Sequence, residues 1–339
     1  MAETTIDGIE HEANEPLAEE PPASTPQPAR RTWRERLRRV CRWAVAAVVF
    51  VFLYYAVGFW GFYRIGDDPG FMPTEPTRDG SRAVDMMAAL LDREVVRHAW
   101  QPPDPFFWPN QFLIHPAAFQ RGMQGALARF SIELEDQLGR MRGSSPADPD
   151  LGRARGLMNF PPDVWYFDLS KSILPTVSSI QNYRAARQSL LAYNQRVATK
   201  AAIFDIRTDS LGAALERISL DLGAQSALVD QHLRETGLWP IRFDADRLFY
   251  QIKGRLYAYH MLLQELGKDF DPVIRPKNNV HNVWDQLIDT LREAGEMRPL
   301  IVIDGPPRAT LFASHLAVQG FYLKRVVLQM KEMSAVLRN

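Results

Sequence analysis

The sequence predicts an all-α protein: a single N-terminal transmembrane helix followed by a multi-helix bundle with long antiparallel helices. Three observations carry this. Trp43–Tyr63 is a run of 21 residues without one charge. Beyond residue 81, apolar side chains recur every three or four positions over stretch after stretch, the period of a helix with one buried face. Strand-like patterning is confined to Leu300–Asp304, a segment too short and isolated to build a sheet.

The uncharged run comes first. As a helix it rises about 31 Å, against a bilayer hydrocarbon core of roughly 30 Å. Between Arg30 and Arg42 stand seven arginines, Arg38, Arg39 and Arg42 nearest the run, against one acid, Glu35; the far flank offers Arg64 and then Asp67 and Asp68. The positive-inside bias therefore predicts a cytosolic N-terminus and an exported body. Trp43 at one end and Trp60 and Tyr63 at the other suit the interfacial belts, where an amphipathic ring has its body in lipid and its polar edge in water. A cleaved signal peptide wants a shorter apolar run and small residues at its cleavage site, whereas Phe59–Arg64 is bulky. An interfacial helix wants a charged face, which this run lacks. Tyr54 and Tyr55, near mid-span, either mark a helix-packing face or are tolerated in a plain anchor.

The flanks differ in composition. Residues 1–29 hold seven acids, no Lys or Arg and five prolines, the make-up of a disordered, acidic cytosolic tail. Of the 40 basic and 40 acidic residues, eight of each precede residue 65, leaving a body of 32 and 32. A neutral body has no electrostatic footprint for nucleic acid, and a basic collar touching a membrane span is better suited to topology and lipid headgroups. The only cysteine is Cys41, so no disulfide staples the body and its stability must come from packing. Residues 65–80, punctuated by proline and glycine, read as a linker. Residues 81–339 form the exported helical domain, with 81–170 and 171–339 as possible subdomains.

Within it, the capping cluster Asp79-Gly80-Ser81 introduces a helix over 82–98. Trp100–Phe112 has too many prolines for a helix. A second helix spans 116–141, with Phe119, Met123, Leu127, Phe130 and Leu134 on one face, and stops at Gly143. A short helix over 150–158 precedes another aromatic-proline loop, 160–168. Two long stripes, 174–203 and Leu211–Leu233, joined by the short segment 204–209, predict an antiparallel hairpin. Asp244 introduces a helix that ends at Gly267, and Val283, Leu287 and Leu291 mark another. Leu316, Gln319, Leu323, Val326, Met330, Met333 and Leu337 form a heptad seam that packs on a partner helix, within the chain or between chains.

Chemistry is sparse. No phosphate loop, nucleophile elbow, zinc motif or calcium loop appears, and the seven histidines never fall three or four apart, so neither cofactor nor metal is predicted. The remaining arrangement is the pair of aromatic-proline loops. They hold Trp100, Phe106, Phe107, Trp108, Trp165, Tyr166 and Phe167 beside Asp104, Asp163, Asp168, Asn110 and His115. Meeting at one end of the bundle, they would line a groove for a glycan, peptide or lipid headgroup, and paired carboxylates at glycosidase spacing would make a cell-wall hydrolase. The rival reading has the rings plugging gaps between helices, and the general burial of aromatics favours it. The predicted role is therefore a non-enzymatic scaffold or partner-binding module, with the hydrolase as the alternative. Its predicted partners are the lipid bilayer and either a protein or a second copy held through 316–337.

Several short blocks bear a resemblance: Phe106–Asn110, Ala126–Phe130, Arg142-Gly143, Lys253–Tyr259, Leu266–Phe270 and Gln319–Leu323. In these the chain resembles a bacterial family known as domain of unknown function 2333, from the membrane helix to the C-terminus. The resemblance implies a single-pass inner-membrane protein with a periplasmic body, and it brings no catalytic residues with it.

Overall fold

The structure is a computed structural model and describes residues 33–105, 108, 113–139, 148–167, 174–235, 243–276, 278–299 and 314–338. Every regular element among these residues is a helix. The acidic tail, the 300–304 segment and the Gly143 stop lie outside them.

The uncharged run forms α1, Trp33–Phe62. Its segment Arg36–Gly58, 23 residues, is long and apolar enough to cross a membrane, and apart from the half-buried Tyr55 and the buried Gly58 its residues are exposed. Among the described residues no other helix has both properties. Tyr54 and Tyr55 meet edge to face at 5.3 Å. The chain divides into two units at Phe52 and Leu53.

The second unit is the helical body. Ser81 caps α2 (Arg82–Leu91) by accepting from the Val84 amide, as the capping cluster predicts. The 82–98 helix then loosens, continuing as a π-helical turn over Asp92–Arg97. The next helix, α3 (Ile114–Glu133), likewise passes into a π-helical turn, Leu134–Leu138. There follow α4 (Pro149–Met158), α5 (Ser179–Ala198), α6 (Thr208–Glu235), α7 (Phe243–Asp269), the single turn α8 (Asp271–Ile274), α9 (Asn278–Glu296) and α10 (His315–Arg338). Gly267 does not end α7. Its missing side chain instead admits the Trp284 ring, which would lie 2.3 Å from a Cβ there.

Two contacts organise the body. Where α3 crosses α7, backbone meets backbone: a Cβ on Gly122 would lie 1.7 Å from the Gln251 carbonyl oxygen, and one on Gly254 2.0 Å from that of Phe119. Only glycine permits this approach. Elsewhere α6 lies antiparallel to α10, with Ser334 donating to the Gly212 carbonyl at 2.9 Å and Lys324 reaching Asp230 at 2.9 Å. The heptad seam is thereby buried inside the chain, against α6 and α9.

The α5/α6 hairpin is a correction. α5 packs on α4 and α2, while α6 turns to α10. After Ala198 the chain makes a Schellman turn, with Lys200 at φ 60°, Ala201 donating to the Arg196 carbonyl and Lys200 to that of Val197. Tyr193 then ties down Ile203, and Leu138 ties down Asp205. These contacts send α6 away from α5. Nor does the body divide at residue 170, because α2 packs directly on α5 and α7, and α3 on α7.

Candidate functional site

The two aromatic-proline loops do meet. Trp100, only 3% exposed, turns inward, donates from Nε1 to the Pro162 carbonyl at 3.1 Å and meets Tyr183 edge-on at 5.2 Å. Arg121 bridges the loops, holding Asp163 at 2.7 Å through Nε and the Pro102 carbonyl at 3.1 Å through Nη2. Tyr183 ties the second loop by donating to the Phe160 carbonyl at 2.7 Å. Trp100 therefore fills the junction and lines no groove, which corrects its reading as a binding residue: an indole with a partner for its N–H is worth more buried.

Trp165 and Phe167 stack edge to face at 5.5 Å, Tyr166 is half-buried, and Trp108 is exposed. Asp104 is half-buried, its backbone amide donating to the Gln101 carbonyl. Asp168, Phe106, Phe107 and Asn110 lie outside the described residues. His115 belongs elsewhere: it stacks on Tyr250 with 4.2 Å between ring centres, shares a 3.2 Å hydrogen bond with the Tyr63 hydroxyl and lies 4.0 Å from Asp246. Burial lowers its pKa against the pull of Asp246, favouring the neutral ring.

That contact leads to the most heavily engineered part of the body, the strap of residues 63–80. Residues 65–80 read as a linker in the sequence, yet Asp67 is buried and Ile65 and Phe71 pack against the core, while many of the others stay exposed. Lys253, 1% exposed in the middle of α7, donates from Nζ to Asp67 at 2.6 Å, and Arg298 grips the same carboxylate at 2.8 and 3.0 Å. Burial lowers the Lys253 pKa and Asp67 partly restores it. Next along the strap, Tyr257 donates to the Asp68 carbonyl at 2.8 Å and accepts from Arg93 at 2.8 Å. The Arg93 guanidinium also covers the Phe71 ring at 4.5 Å and binds Glu94 at 2.7 Å. Glu94 takes a further bond from Gln120 at 3.0 Å; burial pushes its carboxyl up, and its hydrogen bonds and Arg93 together hold it below the ordinary value.

At the strap's far end Thr77 donates twice to Asp85, which also accepts from Asn194 at 2.7 Å. Asp269, at the end of α7, accepts from Ser81 and from the first amides of α2, where a carboxylate is favoured by the helix dipole. The buried charges Asp67, Asp85, Arg93, Glu94 and Lys253 each have a partner. The assembly is a lock.

Compared with family models, curated proteins and solved structures, the chain matches none. Among the described residues no group of three or more His, Cys, Asp or Glu side chains is arranged to hold a metal ion. A cavity of about 540 Å³ between strap, α2 and α5 includes Asp92, Arg97 and Arg187, but Asp92 already binds both arginines at 2.7 and 3.1 Å.

Sequence reasoning missed Asp67, Arg93, Glu94, Lys253, Tyr257 and Arg298. The available signal was a lysine adjoining the apolar stripe of α7. Its partner lies 186 residues away.

Proposed function

We propose that the chain is a single-pass membrane protein of the cell envelope whose helical body serves as a non-enzymatic scaffold or partner-binding module. The carrying observation is the pairing of a largely exposed membrane-length helix with a strap that is locked into the body by Asp67, Asp68 and Asp85. The residues that follow the anchor are therefore bonded to the body and are not a loose tether. The arginine collar favours a cytosolic N-terminus and an exported body. Membership of the domain of unknown function 2333 family is part of this reading and implies the inner membrane and the periplasm.

The aromatic loops support binding or packing better than hydrolysis, since Asp163 is committed to Arg121. For partner contact, the outward apolar residues Leu220, Leu228 and Leu328 on α6 and α10 take the place of the buried seam. A photo-crosslinker at Leu220 or Leu328, activated in intact membranes and followed by mass spectrometry, tests the reading. A discrete adduct with a second copy or one partner is expected. A body that captures neither would contradict it.

A further inference from the structure

We propose that one pole of the body rests on the membrane surface and inserts apolar side chains there, Val318 and Phe321 of α10. The inference rests on the membrane reading above and adds a second, peripheral contact to it.

The pole is defined by contacts that begin at the anchor's end. Tyr63 bonds His115, the second residue of α3. His115 stacks on Tyr250, in the second turn of α7. The neighbouring Phe249 carbonyl accepts from Gln319, in the second turn of α10. The starts of α3, α7 and α10 are thus gathered where the chain leaves α1. On this ground Val318 and Phe321 flank the buried Gln319 yet face solvent, Phe321 being 61% exposed.

Exposed Val and Phe on the pole from which the chain runs back to a membrane-length helix fit the headgroup and upper acyl region, where such residues bury about 5–10 Å deep. With the body's charges balanced, apolar insertion and not lipid charge carries the contact. Tethering makes even a weak contact sufficient, because the local lipid concentration is already high.

The test uses the full-length chain with Cys41→Ser and one new cysteine, V318C, F321C or, as control, I206C. Ile206 is exposed and precedes α6, whose start lies against the end of α10, some 35 Å from the pole by helix rise. Each variant carries bimane and is reconstituted into phosphatidylcholine vesicles with or without lipids bearing a nitroxide high on the acyl chain. The unmodified chain labelled at Cys41 reports on the anchor. Thermal midpoints equal to wild type certify folding. The expected result is at least about twofold quenching at 318 and 321 and none at 206, unchanged when half the lipid is phosphatidylglycerol. Quenching at 41 but not at 318 or 321 overturns the proposal and leaves the anchor standing. Quenching at 206 as well overturns the pole. Absence of quenching at 41 overturns the membrane reading itself.

Discussion

Replacing Asp67 by alanine removes the one carboxylate that compensates Lys253 inside the body. Two terms set the size of the effect. Arg298 is 65% exposed at its side chain, so its share is that of a screened surface pair, about 0–1 kcal/mol. Lys253 is 1% exposed, and a buried charge stripped of its partner costs about 3–5 kcal/mol. The second term decides the outcome. For a body of this size, the loss lowers the thermal midpoint by roughly 6–15 °C. The assay is calorimetric unfolding of the full chain in detergent or nanodiscs. The lysine adds a pH signature. Its folded-state pKa is already below the ordinary value and falls further without Asp67, so between that pKa and 10.5 the unfolded chain binds the extra proton and stability rises with pH. The variant should therefore be less impaired at pH 9 than at pH 6. Asp67→Ala combined with Lys253→Met should recover most of the loss. An Asp67→Ala midpoint within about 1 °C of wild type, or a double variant no better than the single one, would refute the claim that the strap is locked to the core.

Other consequences are as direct. Gly254→Ala drives a methyl into the Phe119 backbone and should cost upward of about 2 kcal/mol despite a helix-propensity gain of about 1; Gly223→Ala on α6, with nothing within 4 Å, should stabilise by about 0.5–1 kcal/mol, both read by urea unfolding. Glu133 is fully buried between Arg129 at 2.7 Å and Arg217 at 3.6 Å, yet burial outweighs the two cations and raises its carboxyl to about 7. The native state then holds a proton that the unfolded chain releases, so this residue's contribution is complete below about 4.5 and is lost as pH rises through about 7. His260 acts oppositely: burial lowers it to about 4, so its contribution is complete above 6.5 and is lost as pH falls toward 4. The two slopes, each up to about 1.4 kcal/mol per pH unit, offset one another between pH 4.5 and 6.5; Glu133→Gln should expose the histidine term as acid destabilisation in equilibrium denaturation. The triple change of Asp104, Asp163 and Asp168 to asparagine should leave any null phenotype fully complemented, since the scaffold reading gives these carboxylates no chemical role.

The helical class was legible because burying one face of a helix imposes a three-to-four residue rhythm that survives without tertiary knowledge. The Ser81 cap and the long stripe of α10 were legible for the same reason, being local. What packs against a stripe is not local. The apolar face of α6 fits α10 as well on paper as it fits α5, and a Schellman turn with a lysine in the left-handed region gives no glycine to announce it. The strap was misread because proline and glycine forbid helix without forbidding burial, and its hold on the body runs through single polar atoms such as the Asp68 carbonyl. Gly122 and Gly254 are each the point where another backbone passes, and nothing local to their helices marks it.

The account turns on which side of a bilayer the body occupies. A membrane-impermeant maleimide applied to intact spheroplasts, in the presence of the native Cys41 alone or of Ile206→Cys in a Cys41→Ser background, measures this directly. Labelling at 206 and none at 41 until the membrane is permeabilised is the predicted result. Labelling at 41 with protection at 206 would contradict it.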